Sequence, residues 1–252
     1  MEKVLNLYKK EGETPLETTE NFRKENSEYE KEKMTYAGRL DPMAEGVLLV
    51  LSGEECKNKE EYLNLDKEYE FEILWGIITD TYDILGIPKI YRGKAPVDLS
   101  GFGDVLKKLK GKQVFEYPPY SSATVEGKQL FQWAREGRLN EIEIPRKEVE
   151  IYNIELLENY EISGEELLKS IINRVQKVTG DFRQKEITKQ WQLPGALPLG
   201  VDFVVSKVRV NCSRGTYVRA IANKLGNDLG VGAIALKIKR NKVGEYNIKN
   251  SR

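Results

Sequence analysis

Ala37-Gly38-Arg39-Leu40-Asp41-Pro42-Met43-Ala44-Glu45-Gly46-Val47-Leu48 runs from a Gly/Pro-punctuated segment into a continuous apolar one. The glycines and the proline predict a loop over residues 36–46, and the apolar run over 47–51 predicts a buried strand. Pro42 fixes its own φ and steers Asp41 away from helical geometry, so a carboxylate is presented rigidly at the mouth of that strand. Asp-Pro is also a common turn dipeptide. Taken by itself, the segment fits a plain turn better than a displayed carboxylate.

The flanking sequence supplies the rest of the architecture. Thr14-Pro15-Leu16-Glu17 combines an N-cap, a proline at the first helical position and a capping-box glutamate, predicting a helix from 15 towards 30. Over 67–78, Tyr69, Phe71 and Ile73 alternate with Glu68, Glu70 and Glu72, the period of a half-buried strand. Further strands are expected over 147–157 and 204–212, and helices over 102–110, 129–136, 163–178 and 216–229, several closed by glycine. Strands and helices intersperse without βαβ repetition. This predicts an α+β fold in which helices flank a central mixed or mostly antiparallel sheet.

The chain has 252 residues, 40 Lys+Arg against 40 Asp+Glu, and no histidine. With no low-complexity linker to divide it, one domain over 1–252 is expected. Without imidazole, Ser-His-Asp and Cys-His nucleophile systems and His-containing metal sites are excluded, and Cys56 and Cys212 are too few for a thiolate cage. Acid–base chemistry must then run on Asp, Glu, Tyr, Lys or Cys. The two cysteines give no disulfide framework, and no signal peptide or membrane-length apolar run is present, so a soluble cytoplasmic protein without a membrane partner is expected. Residues 201–252 hold eleven basic and three acidic side chains. That segment is expected either to face a polyanion or to be ordinary solvated surface.

The string over 37–48 resembles the Gly-x-Leu-Asp-Pro-x-Ala-x-Gly-Val-Leu signature of the TruB-type tRNA pseudouridine synthases. The similarity continues in order. Ser52-Gly53-Glu54-Glu55-Cys56-Lys57 resembles the family's Gly-Glu-Ala-Thr-Lys segment, and Lys67-Glu68-Tyr69 with Thr79-Asp80-Thr81-Tyr82-Asp83 its Lys-x-Tyr strand and Thr-Asp-Thr-x-Asp turn. Tyr117-Pro118-Pro119-Tyr120-Ser121 and the segment from Gly127-Lys128 to Gly137 resemble its Pro-rich loop and following helix. Cys212-Ser213-Arg214-Gly215-Thr216-Tyr217-Val218-Arg219 is similar to its Cys-Ser-Lys-Gly-Thr-Tyr-Ile-Arg, and Lys239-Arg240 to its closing strand.

The resemblance implies a pseudouridine synthase fold with an RNA-binding cleft, acting on the T-loop uridine in the T-arm of tRNA, with no cofactor, no metal and no obligate protein partner. Asp41 would be the catalytic carboxylate, Arg219 its ion-pair partner, and Tyr69 the active-site tyrosine that stacks on the flipped base. Tyr36, Arg39, Leu40, Lys67, Asp80, Lys128, Arg214, Tyr217 and Lys239 would bind substrate. Three departures from the pattern bear on these expectations. Tyr36 stands where the family has a histidine that helps displace the target base. The family's Lys-Pro-x-Gly appears as Lys10-Glu11-Gly12. Residues 159–198 form a longer connection than usual, whose Arg174, Lys177, Arg183, Lys185 and Lys189 suggest either an RNA- or partner-contacting element or a bland surface insertion. The chain also ends soon after Tyr246, so the resemblance leads to the expectation of a catalytic domain without the small C-terminal PUA domain of many relatives. The competing readings are a pseudouridine synthase for another structured RNA and a noncatalytic RNA-binding protein on the same scaffold; a carboxylate-based glycoside hydrolase lacks a second supported carboxylate.

Overall fold

The computed structural model describes residues 1–90 and 99–252. In chain order, the first half comprises β1 (Val4–Lys9), α1 (Pro15–Glu25), β2 (Met34–Ala37), β3 (Ala44–Ser52), α2 (Lys59–Asn64), β4 (Lys67–Trp75), β5 (Ile77–Thr79), β6 (Pro88–Ile90), α3 (Phe102–Lys108), β7 (Gly111–Glu116), β8 (Thr124–Val125), β9 (Lys128–Gln129) and α4 (Leu130–Arg135). The second half comprises β10 (Arg146–Ser163), α5 (Gly164–Gln176), α6 (Gln184–Trp191), β11 (Asp202–Cys212), α7 (Val218–Leu229), β12 (Ala233–Val243) and β13 (Tyr246–Asn247).

Among the described residues, nine strands form one sheet ordered β1-β3-β12-β4-β11-β10-β7, with β2 added to β3 and β13 to β12. Its pairings are antiparallel except β12 with β3, so the sheet is mixed and mostly antiparallel, as expected. That parallel contact is tight. A Cβ on Gly46, whose φ is 111°, would stand 2.3 Å from the Arg240 carbonyl oxygen, so only glycine lets β3 approach β12 this closely.

Local chemistry explains the elements. The Thr14 capping box closes the start of α1, and Gly230 in the left-handed region (φ 68°) ends α7. The alternation of β4 sends Tyr69, Phe71 and Ile73 into a core shared with α3 and α7. Its glutamates lie on the opposite face, where Glu68, Glu70 and Glu72 pair with Lys242 (3.2 Å), Arg209 (2.7 Å) and Lys237 (3.2 Å). Further along that face, α5 and α6 bury Leu167, Ile171, Ile187 and Trp191 against Leu74, Val205 and Ile234. No helix among the described residues is long and apolar enough to cross a membrane.

Three sequence expectations change. The loop predicted over 36–46 is confined to residues between Ala37 and Ala44, because Tyr36 pairs with Val50 and β3 already begins at Ala44. The strand predicted to end at 157 continues to Ser163, pairing with β11 as far as Asp202. The inserted connection is therefore 164–201 rather than 159–198, and it is built on the two helices α5 and α6. Strand β1 was not anticipated.

Candidate functional site

Asp41 sits on the short loop between β2 and β3, where three buried cations hold it. On the backbone side, Lys9 Nζ donates to the carbonyls of Ala44 (2.5 Å), Lys10 (3.0 Å) and Pro42 (3.5 Å). Arg240 donates to those of Val47 (2.7 Å), Gly38 (3.2 Å) and Arg39 (3.4 Å). On the side-chain side, Arg219 Nε donates to Asp41 Oδ2 at 2.8 Å, while its Nη atoms donate to the carbonyls of Thr81 (2.6 Å) and Tyr120 (3.3 Å). The Asp41 side chain is 32% exposed and the Arg219 side chain 3%, so the pair presents its carboxylate end to solvent. Arg219 is reached from the first turn of α7, as the sequence suggested, but it is buried in the packed face.

A second carboxylate shares Arg219. Asp83 Oδ2 lies 3.6 Å from its Nε, and Oδ1 accepts from the Thr81 hydroxyl (2.7 Å) and the Leu85 amide (2.9 Å). Burial pushes the Asp83 carboxyl up to about 6; Arg219 opposes the shift, and the nearby Asp41 charge adds to it. Burial works against the Arg219 charge, but Asp41 and Asp83 together raise its pKa further. Lys9 and Lys67 are each lowered to about 8, chiefly by burial. Tyr69 is buried, which raises its hydroxyl while the neighbouring Arg240 acts the other way.

These groups open into a cleft of about 860 Å³. Of the residues expected from the sequence, Asp41, Tyr69, Arg219, Tyr36, Arg39, Leu40, Lys67, Arg214 and Tyr217 all line it. Three do not. Asp80 is engaged in the wall, paired with Arg183 at 3.0 Å and accepting from the Ile87 amide. Lys128 is turned towards α4, where it pairs with Glu136 and lies 4.6 Å from the Trp133 ring centroid. Lys239 has the wrong strand parity: Ile238 and Arg240 on β12 face the cleft, and Lys239 points to the other side.

The cleft lining holds nine basic side chains (Arg39, Lys59, Lys67, Arg135, Lys147, Arg183, Arg214, Arg219 and Arg240) against three acidic ones (Asp41, Asp83 and Asp181). Only three of the nine come from residues 201–252. In that segment, Lys207, Arg209, Lys237 and Lys242 pair with glutamates on the far face of the sheet, Lys224 with Asp228 and Arg252 with Glu2. The positive cleft is assembled from dispersed residues rather than from the basic C-terminal segment. The proposed RNA-contacting charges of the insertion also divide. Arg174 is buried, bidentate to Glu11 and bonded to the Leu236 carbonyl (2.8 Å), so it anchors the insertion where the chain departs from the family's Lys-Pro-x-Gly. Arg183 reaches the cleft; Lys177, Lys185 and Lys189 do not line it. Sequence reading also missed Lys59, whose ammonium lies 5.6 Å from the Tyr36 ring centroid.

The family model described as TruB family pseudouridylate synthase (N terminal domain) matches residues 26–172. The chain is 28% identical over 251 residues to the tRNA pseudouridine synthase B of Clostridium tetani, with 100% of this chain and 71% of that protein covered. It is 31% identical over 250 residues to the enzyme of the same name from Caldanaerobacter subterraneus subsp. tengcongensis, covering 98% and 71%. The crystal structure of a Cbf5-Nop10-Gar1 complex holds a chain of the same fold, with TM-score 0.57 and 21% identity over 97% of this chain and 49% of that one. The present chain thus spans about half the length of that structural neighbour.

Proposed function

The chain belongs to the TruB family of pseudouridylate synthases, and from that premise we propose that it converts the T-loop uridine of tRNA to pseudouridine, with residues 1–252 acting as the catalytic domain. The observation that carries this reading is the partly exposed Asp41 carboxylate, bonded to a buried arginine at the floor of a cleft lined mainly by cations. Phosphates are drawn to such a cleft, and a carboxylate within it is unfavourable unless chemistry requires it.

The reaction breaks the bond between ribose C1′ and uracil N1, turns the base, and joins C1′ to C5; the hydrogen displaced from C5 is balanced by one gained at N1. Asp41 acts on the ribose, as nucleophile or as base, and either role needs an ionised carboxylate that Arg219 both charge-balances and orients. Tyr69 offers its ring to the flipped uracil, a stacking contact of about 1–3 kcal/mol per base that offsets what is lost in the RNA loop. Its raised pKa keeps the hydroxyl protonated and able to donate. At the cleft wall, Tyr36 and Lys59 together supply the aromatic surface and the positive charge that the family's histidine provides in one residue.

Incubation with an unmodified tRNA transcript, followed by mapping of pseudouridine, tests the reading. A product in the T loop is the expected result. A product only in another structured RNA would move the substrate while keeping the chemistry, and tight RNA binding with no product would favour a noncatalytic role.

A further inference from the structure

Two separate backbone segments hold Arg219 in place by their carbonyls, one at Thr81 and the other at Tyr120. Both are tied to one residue of the inserted connection. Arg183 Nη2 lies 3.0 Å from Asp80 Oδ2, beside the Thr81 carbonyl, and its guanidinium lies 4.2 Å from the Tyr120 ring centroid. The Arg183 side chain is 19% exposed, and its backbone is left-handed (φ 62°, ψ 24°), a conformation that long side chains rarely adopt. The neighbouring residues hold the same loop in place: Asp181 pairs with Arg135 of α4 at 3.2 Å, and the Thr179 amide donates to the Gly12 carbonyl at 3.1 Å. The insertion therefore spans from the N-terminal wall of the cleft to the Tyr120 segment.

We propose that Arg183 is a positioning residue for the reactive pair, clamping the Asp80–Thr81 turn to Tyr120 so that their carbonyls fix Arg219, and Arg219 in turn fixes Asp41. The inference rests on the reading of Asp41 and Arg219 as the reacting pair and deepens it, because it gives the inserted helices a part in the chemistry. A planar guanidinium suits the role: it can pair with a carboxylate and stack on a phenol ring at once, which an ammonium cannot do. Arg183 also lines the cleft, so direct contact with RNA phosphate is the competing role.

Arg183→Gly separates the two, since glycine accepts the left-handed backbone and removes only the side chain. With a tRNA transcript as substrate, positioning predicts a kcat about tenfold lower and a KM changed by less than about twofold, with partial recovery in Arg183→Lys. A raised KM with kcat intact and a shallower salt dependence would overturn the proposal in favour of phosphate contact. Hydrogen exchange on the RNA-free protein gives an independent reading. Positioning predicts faster exchange in peptides spanning 79–85 and 117–122 of Arg183→Gly, with an unchanged unfolding midpoint. Unchanged exchange there would overturn the clamp. If the wild-type protein modifies no RNA, the proposed function fails while the exchange comparison still decides the clamp.

Discussion

The loop that carries Asp41 is gripped from two sides by buried cations of different kinds. Lys9 and Arg240 bond backbone carbonyls on one side and make no ion pair among the described residues, whereas Arg219 on the other side meets Asp41 and Asp83. A cation hydrogen-bonded to neutral groups fixes the chain without a carboxylate in direct contact. It is costly to bury, and burial is the main reason the Lys9 pKa falls to about 8, with Asp41, Glu13 and Glu11 acting the other way; Arg240, unlike Lys9, lines the cleft and adds to its positive field. Arg219 is different: its charge is absorbed by two carboxylates, so it contributes orientation rather than field. One grip fixes the loop backbone and the other orients the Asp41 carboxylate.

Substitutions on the two sides should therefore fail differently. The largest effect is expected for Asp41→Asn, which loses product formation by about a thousandfold or more while retaining RNA affinity and changing stability by no more than about 1 kcal/mol. Single-turnover kinetics, filter binding and urea unfolding on one preparation check all three. Arg219→Met leaves the buried Asp83 without a counter-charge and is expected to destabilise by about 3–5 kcal/mol, part of which returns in Arg219→Met with Asp83→Asn. Additive losses in that double variant would show that the two groups do not share a charge.

On the backbone side, Arg240→Met orphans three carbonyls, with an expected cost of about 2–3 kcal/mol. It should also flatten the dependence of RNA affinity on salt by about one phosphate contact, a change that Arg219→Met should not produce. The most gradual effect is a pH dependence. The Asp83 carboxyl rises from 3.8 to about 6 in the folded chain, so the folded state holds a proton there that the unfolded state has released. The stability due to this group is complete below the lower value and is lost as pH climbs to the upper one, by about 1 kcal/mol per pH unit at its steepest. Wild type measured against Asp83→Asn across that window isolates the slope, and parallel curves would show that burial does not raise this carboxyl.

Sequence reading went furthest where the information is local. The Glu/apolar alternation of β4, the Thr14 capping box and the glycine stop at Gly230 each need only a few neighbouring residues, and all appear as expected. The pairing of Asp41 with Arg219 was legible because each lies in a recognisable motif. Strand β1 was missed because its buried phase, Leu5, Leu7 and Lys9, ends on a lysine that reads as surface. The far end of β10 was missed because Glu155, Glu158 and Glu161 give it no apolar period, its outer part being exposed.

The site residues divide along the same line. Composition determined that the chemistry would run without imidazole, and local pattern determined that Asp41 stands at the mouth of a buried strand. Tertiary structure decided which cations face the cleft. Lys239 was nominated and Arg240 serves because the pleat sends alternate side chains to opposite faces. Arg209 and Lys242 are basic but are held by glutamates across the sheet, while Lys59, Arg135, Lys147 and Arg183 reach the cleft from four distant segments. A side chain's charge belongs to the residue. Its partner is set by which strands and helices the fold brings opposite it, and Asp41 and Arg219 meet although they stand 178 positions apart.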